Sequence, residues 1–144
     1  MEITSAGEFT AYWRRIRGRT RRVAALIPPD QVEWTHKPGK FTLGDLVRHL
    51  AASERYIFTD HVVGGGSRYP GHGTDLAEVL EEVLAYLDRM HAESVALLEG
   101  LAAEQLAGKV PTPAGQPITA WKGLRAMVEH EVHHRGPLYQ MLGT

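Results

Sequence analysis

A chain of 144 residues with 43% apolar and 23% charged side chains has the make-up of an ordinary globular domain large enough to bury a core. Its formal net charge of −1 gives no overall pull toward nucleic acid or an anionic membrane. The absence of cysteine excludes disulfides, thiolate zinc sites and a thiol nucleophile supplied by the protein, which leaves His, Asp and Glu as candidate ligands; eight histidines is a high count for this length.

In chain order, Phe9, Trp13, Ile16, Thr20, Val23 and Ile27 recur in steps of four and three, and this spacing predicts a first helix from about residue 5 to the Pro28-Pro29 stop. Thr42 is placed to cap a second helix, with Leu43, Leu46, Val47, Leu50 and Ile57 on its apolar stripe. A long third follows Thr74, carried by Leu76, Val79, Leu80, Val83, Leu87, Met90, Leu97, Leu98 and Leu101. Pro117 suits the first turn of a fourth, whose stripe is Ala120, Gly123, Met127, His130, His134, Leu138 and Met141. Strand-like alternation is confined to short pieces near Val32-Trp34 and Lys109-Pro111. The expected fold is therefore all-α, a four-helix bundle.

The connections set the order of the helices. Residues 62–73, VVGGGSRYPGHG, reach up to ~40 Å when extended, far more than neighbouring antiparallel helices need. A connection of that length between helices two and three runs the length of the bundle, makes those two parallel and gives an up-down-down-up order. Its glycines lack the Gly-Lys-Ser/Thr ending of a phosphate loop. The run RRIRGRTRR, Arg14 to Arg22, reads as a solvated face of helix one offset by Glu78, Glu81, Glu82 and Asp88 on helix three, so no nucleic-acid partner is expected. No apolar leader segment and no membrane-length apolar run occurs, which predicts a cytoplasmic protein without a membrane partner.

The chemistry concentrates in His130-Glu131-Val132-His133-His134, which satisfies H-E-x-x-H. His130 and His134 leave one helix face a turn apart and can share one cation, with Glu131 either a candidate catalytic base for water or, the favoured reading, a solvated residue or one that orients a ligand histidine. A zinc protease takes its third ligand downstream, yet residues 135–144 contain no Glu, Asp or His, so a third ligand must lie upstream. His49 is the best placed. It sits about two turns into helix two in line with Leu46 and Ser53, and antiparallel packing brings it within roughly 3 to 9 Å of the pair along the axis. A single histidine on an apolar face is more often a hydrogen-bonded core residue. Two at i, i+4 carry more polar atoms than an apolar core readily satisfies, and one cation satisfies them together. His36, His61, His72, His91 and His133 fall in loops or on polar faces. Imidazole ligands suit zinc, nickel or iron(II).

The stretch TLGDLVRHLAASE on helix two, containing His49 with Glu54 five residues on, and AWKGLRAMVEHEVHHRG on helix four resemble the DinB/YfiT-like superfamily of bacterial metal-binding four-helix bundles, as do the long connection and the Trp34 segment. The resemblance covers nearly all of the chain and implies a single DinB-like domain over residues 1–144, with its three histidine ligands at His49, His130 and His134. Members of known activity include metal-dependent transferases and isomerases that use low-molecular-weight thiols. The resemblance thus implies a divalent-metal-binding protein acting as a transferase or related enzyme on a small molecule, with such a thiol as cosubstrate. Hydrolysis of a small substrate and a non-catalytic, metal-stabilised binding role are the alternatives. A homodimer is the expected assembly, with Tyr56 and Phe58 as contributors.

Overall fold

The computed structural model describes residues 2–66 and 68–143. Helix α1 spans Ala6–Ala24, and the Ser5 side chain caps it by accepting from the Glu8 N–H. Helix α2, Leu43–Ala52, opens on a reciprocal cap in which Thr42 accepts from the Asp45 N–H while the Asp45 carboxylate accepts from the Thr42 N–H. It widens into a π-helical stretch, Ser53–Thr59, and closes with the short α3, Asp60–Val62, so one helical rod runs from Leu43 to Val62. Helix α4 is Leu80–Glu99, α5 the short Ala103–Ala107 and α6 the long Ala120–Leu142, which continues through Pro137 and ends on Gly143 at φ 74°.

Long-range contacts fix the order of the bundle. Arg14–Glu99 and Arg21–Asp88 set α1 antiparallel to α4. Glu54 meets His91 and Arg55 meets Glu93, whereas earlier on α2 Arg48 reaches the Ala77 carbonyl just before α4, so α2 and α4 run parallel. His49 against His130 midway along α6, and Val62 at the far end of the rod against Gly123 near the start of α6, set α2 antiparallel to α6. A Cβ on Gly123 would lie 2.9 Å from Val62, so the close approach of α3 to α6 requires glycine there. The result is the up-down-down-up bundle expected from the long connection. Two apolar clusters fill it. One gathers Val23, Ile27, Leu43, Val47, Leu87 and Leu138; the other gathers Phe9, Trp13, Leu98, Leu106, Leu124 and Met127. Among the described residues, no helix is long and apolar enough to cross a membrane.

Four expectations are corrected. The third helix begins at Leu80 rather than just after Thr74: Val79 is extended and 58% exposed, and the Glu82 side chain accepts from the N–H groups of Glu78 and Val79, which ends the helix there. The fourth begins at Ala120, beyond Pro117, because Ile118–Thr119 pair antiparallel with Lys109–Val110 and the Ala120 N–H reaches the Gly108 carbonyl. Of the strand-like pieces, only the one at Lys109 forms a strand; Val32–Trp34 is a turn whose carbonyls receive the Gly44 and Leu43 N–H groups. The arginine run is also not uniformly solvated. Arg14 and Arg21 take exposed partners, but Arg17 is buried.

Candidate metal centre

His49 projects from α2 toward α6, and His130 and His134 project one turn apart from α6 toward α2. Helix period and antiparallel packing together bring the three rings to one point: a nitrogen from each lies within 4.8 Å of the other two. His49 Nε2 is 3.1 Å from His130 Nε2, and the ring centres of His49 and His134 are 4.7 Å apart. All three side chains are half-buried. Burial, together with the neighbouring imidazoles of His130, His134 and His72, pushes His49 down to about 3, and burial with His134 and His133 pushes His130 down to about 4. His134 is lowered by burial and by His133. The cluster is therefore neutral near pH 7, the form in which imidazole offers a lone pair to a cation. Three neutral nitrogens this close, without a carboxylate or an ammonium among them, fit a divalent ion.

The wall of the site comes from three elements. Phe41, just before α2, lies 5.3 Å from the His49 ring and stacks near His134 at 6.4 Å. Phe58, from the π-helical stretch, lies 5.3 Å from His130. The long connection supplies the polar side: the Tyr69 hydroxyl is 2.7 Å from His49 Nδ1 and 3.0 Å from His72 Nδ1. Burial pushes the Tyr69 hydroxyl up to about 12, so it keeps its proton. Sequence reasoning missed Tyr69 and set His72 aside, because a glycine-rich connection has no periodicity from which to infer the direction of a side chain. Trp34 is 43% exposed, and Phe41, later in the same connection, is the aromatic residue that faces the histidines.

Glu131, the candidate base, is turned away from the cluster. It is only 2% exposed, and its carboxylate accepts from Arg17 Nε at 3.0 Å, Arg17 Nη2 at 2.7 Å and Thr20 Oγ1 at 2.8 Å, all on α1. The residue is thus neither solvated nor oriented toward a ligand histidine. Glu54 belongs to the same buried network. It takes the Trp13 indole N–H, lies 2.9 Å from His91 Nδ1 and 3.2 Å from Arg17 Nη1, and gives the network a second carboxylate. Of the other named positions, His133 lies against His134 with ring centres 5.1 Å apart, His61 Nδ1 is hydrogen-bonded to the Ile57 carbonyl, and Tyr56 packs on the core.

Comparison with known proteins agrees with this architecture. The DinB superfamily profile matches residues 12–138. The uncharacterized protein YjoA of Bacillus subtilis is 27% identical over 142 residues, covering 95% of this chain and 88% of its own. Among solved structures, Bacillus subtilis YfiT, described as a probable metal-dependent hydrolase with an unusual four-helix bundle topology, superposes with a TM-score of 0.70 at 18% identity, over 96% of this chain and 87% of YfiT. A mycothiol-dependent maleylpyruvate isomerase superposes with a TM-score of 0.58 at 17% identity, over 90% of this chain and 59% of that one. With the profile spanning nearly the whole bundle, from α1 through the two histidines of α6, the chain belongs to the DinB superfamily.

Proposed function

We propose that His49, His130 and His134 hold one divalent ion and that the protein uses it as a transferase or related enzyme in which a low-molecular-weight thiol reacts with a small electrophile. When bound, such an ion lowers the pKa of a thiol or water that joins it. The observation that carries the reading is the position of Glu131: with its carboxylate closed onto Arg17 and Thr20 it is not free to act as base for a water, and a thiol, far more acidic than water before it meets an ion, is the nucleophile that depends least on such a base. The chain has no cysteine of its own, so the thiol is brought in with the substrate. Phe41 and Phe58 give the site apolar walls for the body of a small molecule, and Tyr69 and His72 give it a polar edge. The likeness to a mycothiol-dependent isomerase supports the same chemistry. Hydrolysis of a small substrate is the second reading, favoured by the description of YfiT.

The test is a panel of metal-loaded wild type and His49→Ala protein against low-molecular-weight thiols with model electrophiles, run beside esters and peptides. Conjugate formation is expected in wild type. It should fall in His49→Ala by more than the roughly 10–100-fold typical of losing a residue that only supports a metal ligand. Ester or peptide cleavage that needs both His49 and Glu131 would instead establish the hydrolase.

A further inference from the structure

The long connection does more than span the bundle. Arg48, fully buried on α2, donates from Nε to the His72 carbonyl at 2.7 Å and from Nη1 to the Ala77 carbonyl at 3.0 Å; Nη1 and Nη2 also donate to Glu33, and Nη2 to Asp45. The backbone around His72 is thereby tied to the helix that carries His49, one residue away from Arg48. Tyr69 bridges His49 and His72, and the ring centre of Phe41 lies 4.4 Å from that of His72.

His49 is the ring of the three whose second nitrogen is engaged. Its Nε2 faces His130; its Nδ1 has Tyr69 Oη at 2.7 Å and Ser53 Oγ at the longer 3.4 Å. Among the described residues no hydrogen bond reaches the ring of His134, and His130 has only the one to His49. We infer that Tyr69 is a positioning residue for the metal centre: it accepts the Nδ1 proton of His49, fixing the tautomer whose Nε2 lone pair is free for the ion, while its own hydroxyl donates to His72. This rests on the proposed metal site and extends it to the connection.

The directions follow from counting protons. A ligating Nε2 carries no hydrogen, so the single proton of neutral His49 sits on Nδ1. Tyr69 oxygen accepts it, which leaves the Tyr69 O–H to point at His72 Nδ1, and the proton of His72 then sits on Nε2. In this chain His49 Nδ1 donates, Tyr69 accepts once and donates once, and His72 Nδ1 accepts, so every shared atom pair holds one proton. Without the ion, the close His49 Nε2–His130 Nε2 pair needs a proton on one of the two nitrogens. If it is on His49, the chain runs in the opposite direction, from His72 through Tyr69 to His49 Nδ1. Metal occupancy therefore selects one of two orientations of the same three groups. A hydrogen bond from the far nitrogen of a ligand imidazole fixes the orientation of its ring and raises its basicity.

Zinc affinity, read by competition with a chromophoric chelator, and the imidazole 15N spectrum of zinc-loaded protein test this together. Tyr69→Phe keeps the ring and removes the oxygen. Affinity is expected to fall ~10–100-fold, and the slowly exchanging Nδ1–H signal of His49, present in wild type, should vanish while the melting temperature of the metal-free variant stays close to wild type. His49→Ala serves as the reference for loss of the site. An affinity in Tyr69→Phe equal to wild type, or an Nδ1–H signal that persists unchanged, overturns the inference while leaving the three-histidine site standing. Wild-type protein that binds no zinc overturns both.

Discussion

One turn of α6 presents two kinds of buried polar chemistry on opposite sides, and they are organised by different rules. Toward α1, Glu131 is closed: two Arg17 nitrogens and the Thr20 hydroxyl engage its carboxylate, and Arg17 also pairs with Glu54, which His91 and Trp13 complete. Toward α2, His130 and His134 are open, with neutral rings whose nitrogens converge on a point that no protein proton donor or acceptor fills among the described residues. A buried charge is tolerated when its partners are complete, because the cost of dehydration is offset by short charge-assisted bonds. On the open side one shared proton can join His49 Nε2 to His130 Nε2 at 3.1 Å, and His134 has no hydrogen bond among the described residues, so the lone pairs are fully used together only by a cation. The closed side is therefore read as structure and the open side as function, although the H-E-x-x-H pattern lists both in one breath.

The largest effect that tests this division comes from removing the centre of the closed side. Arg17→Met strips the shared cation from two buried carboxylates and is expected to cost about 3–5 kcal/mol, or on the order of 10 °C in melting temperature for a domain of this size. Adding zinc to the variant should still raise its melting temperature, since the histidines do not depend on Arg17 for contact. Zinc-induced stabilisation that disappears in Arg17→Met would show the two sides to be one device.

Acid pH separates the sides further. Burial by itself pushes the Glu54 carboxyl up, but the Arg17 charge beside it, reinforced by His91 and the Trp13 indole, leaves it below its ordinary value of 4.5. The folded protein therefore keeps Glu54 ionised at a pH where the unfolded chain has taken up a proton. Its contribution is complete above about 4.5 and is lost as pH falls toward the lowered folded value. In metal-free protein, urea unfolding below pH 4.5 should show stability falling with pH more steeply in wild type than in Glu54→Gln, by up to ~1.4 kcal/mol per pH unit for the one proton. Parallel acid limbs in the two proteins would mean that Glu54 is not held ionised by this network.

Much of this was legible in the sequence because it follows from periodicity and reach. Helical spacing aligned His130 with His134, the length of the 62–73 connection implied parallel second and third helices, and antiparallel packing of α2 on α6 singled out His49. What stayed hidden depends on tertiary direction. Arg17 sits in a run of arginines, and nothing local distinguishes it from Arg14 or Arg21, but only Arg17 falls on the side of α1 that meets Glu54 and Glu131. The π-helical stretch Ser53–Thr59 has no distinctive composition. Nor would a regular amphipathic stripe predict that Leu50 to Glu54, at the junction of α2 with that stretch, are all buried. Glu131 illustrates the limit of a motif. Spacing specifies which side chains can meet on one helix, whereas the neighbour each one meets is decided by the helix across from it.

The smallest predicted effect uses a third polar cluster as a control. At the start of α2, Thr42 accepts from the Asp45 N–H at 2.9 Å and donates to Glu33 at 3.0 Å, and both acids also receive Arg48. This cluster is closed like the one around Arg17 but lies nearer the surface, so its loss is cushioned by water. Thr42→Ala removes the cap and should cost about 1 kcal/mol, seen as a shift in urea midpoint without a change in slope. Arg48 keeps Glu33, Asp45 and the His72 and Ala77 carbonyls in this variant, so the connection that carries Tyr69 stays anchored and zinc affinity should match wild type. If affinity falls together with stability, the capping cluster reaches the histidines through Arg48 and His72, and the boundary between closed and open chemistry has to be drawn inside α2 rather than around it.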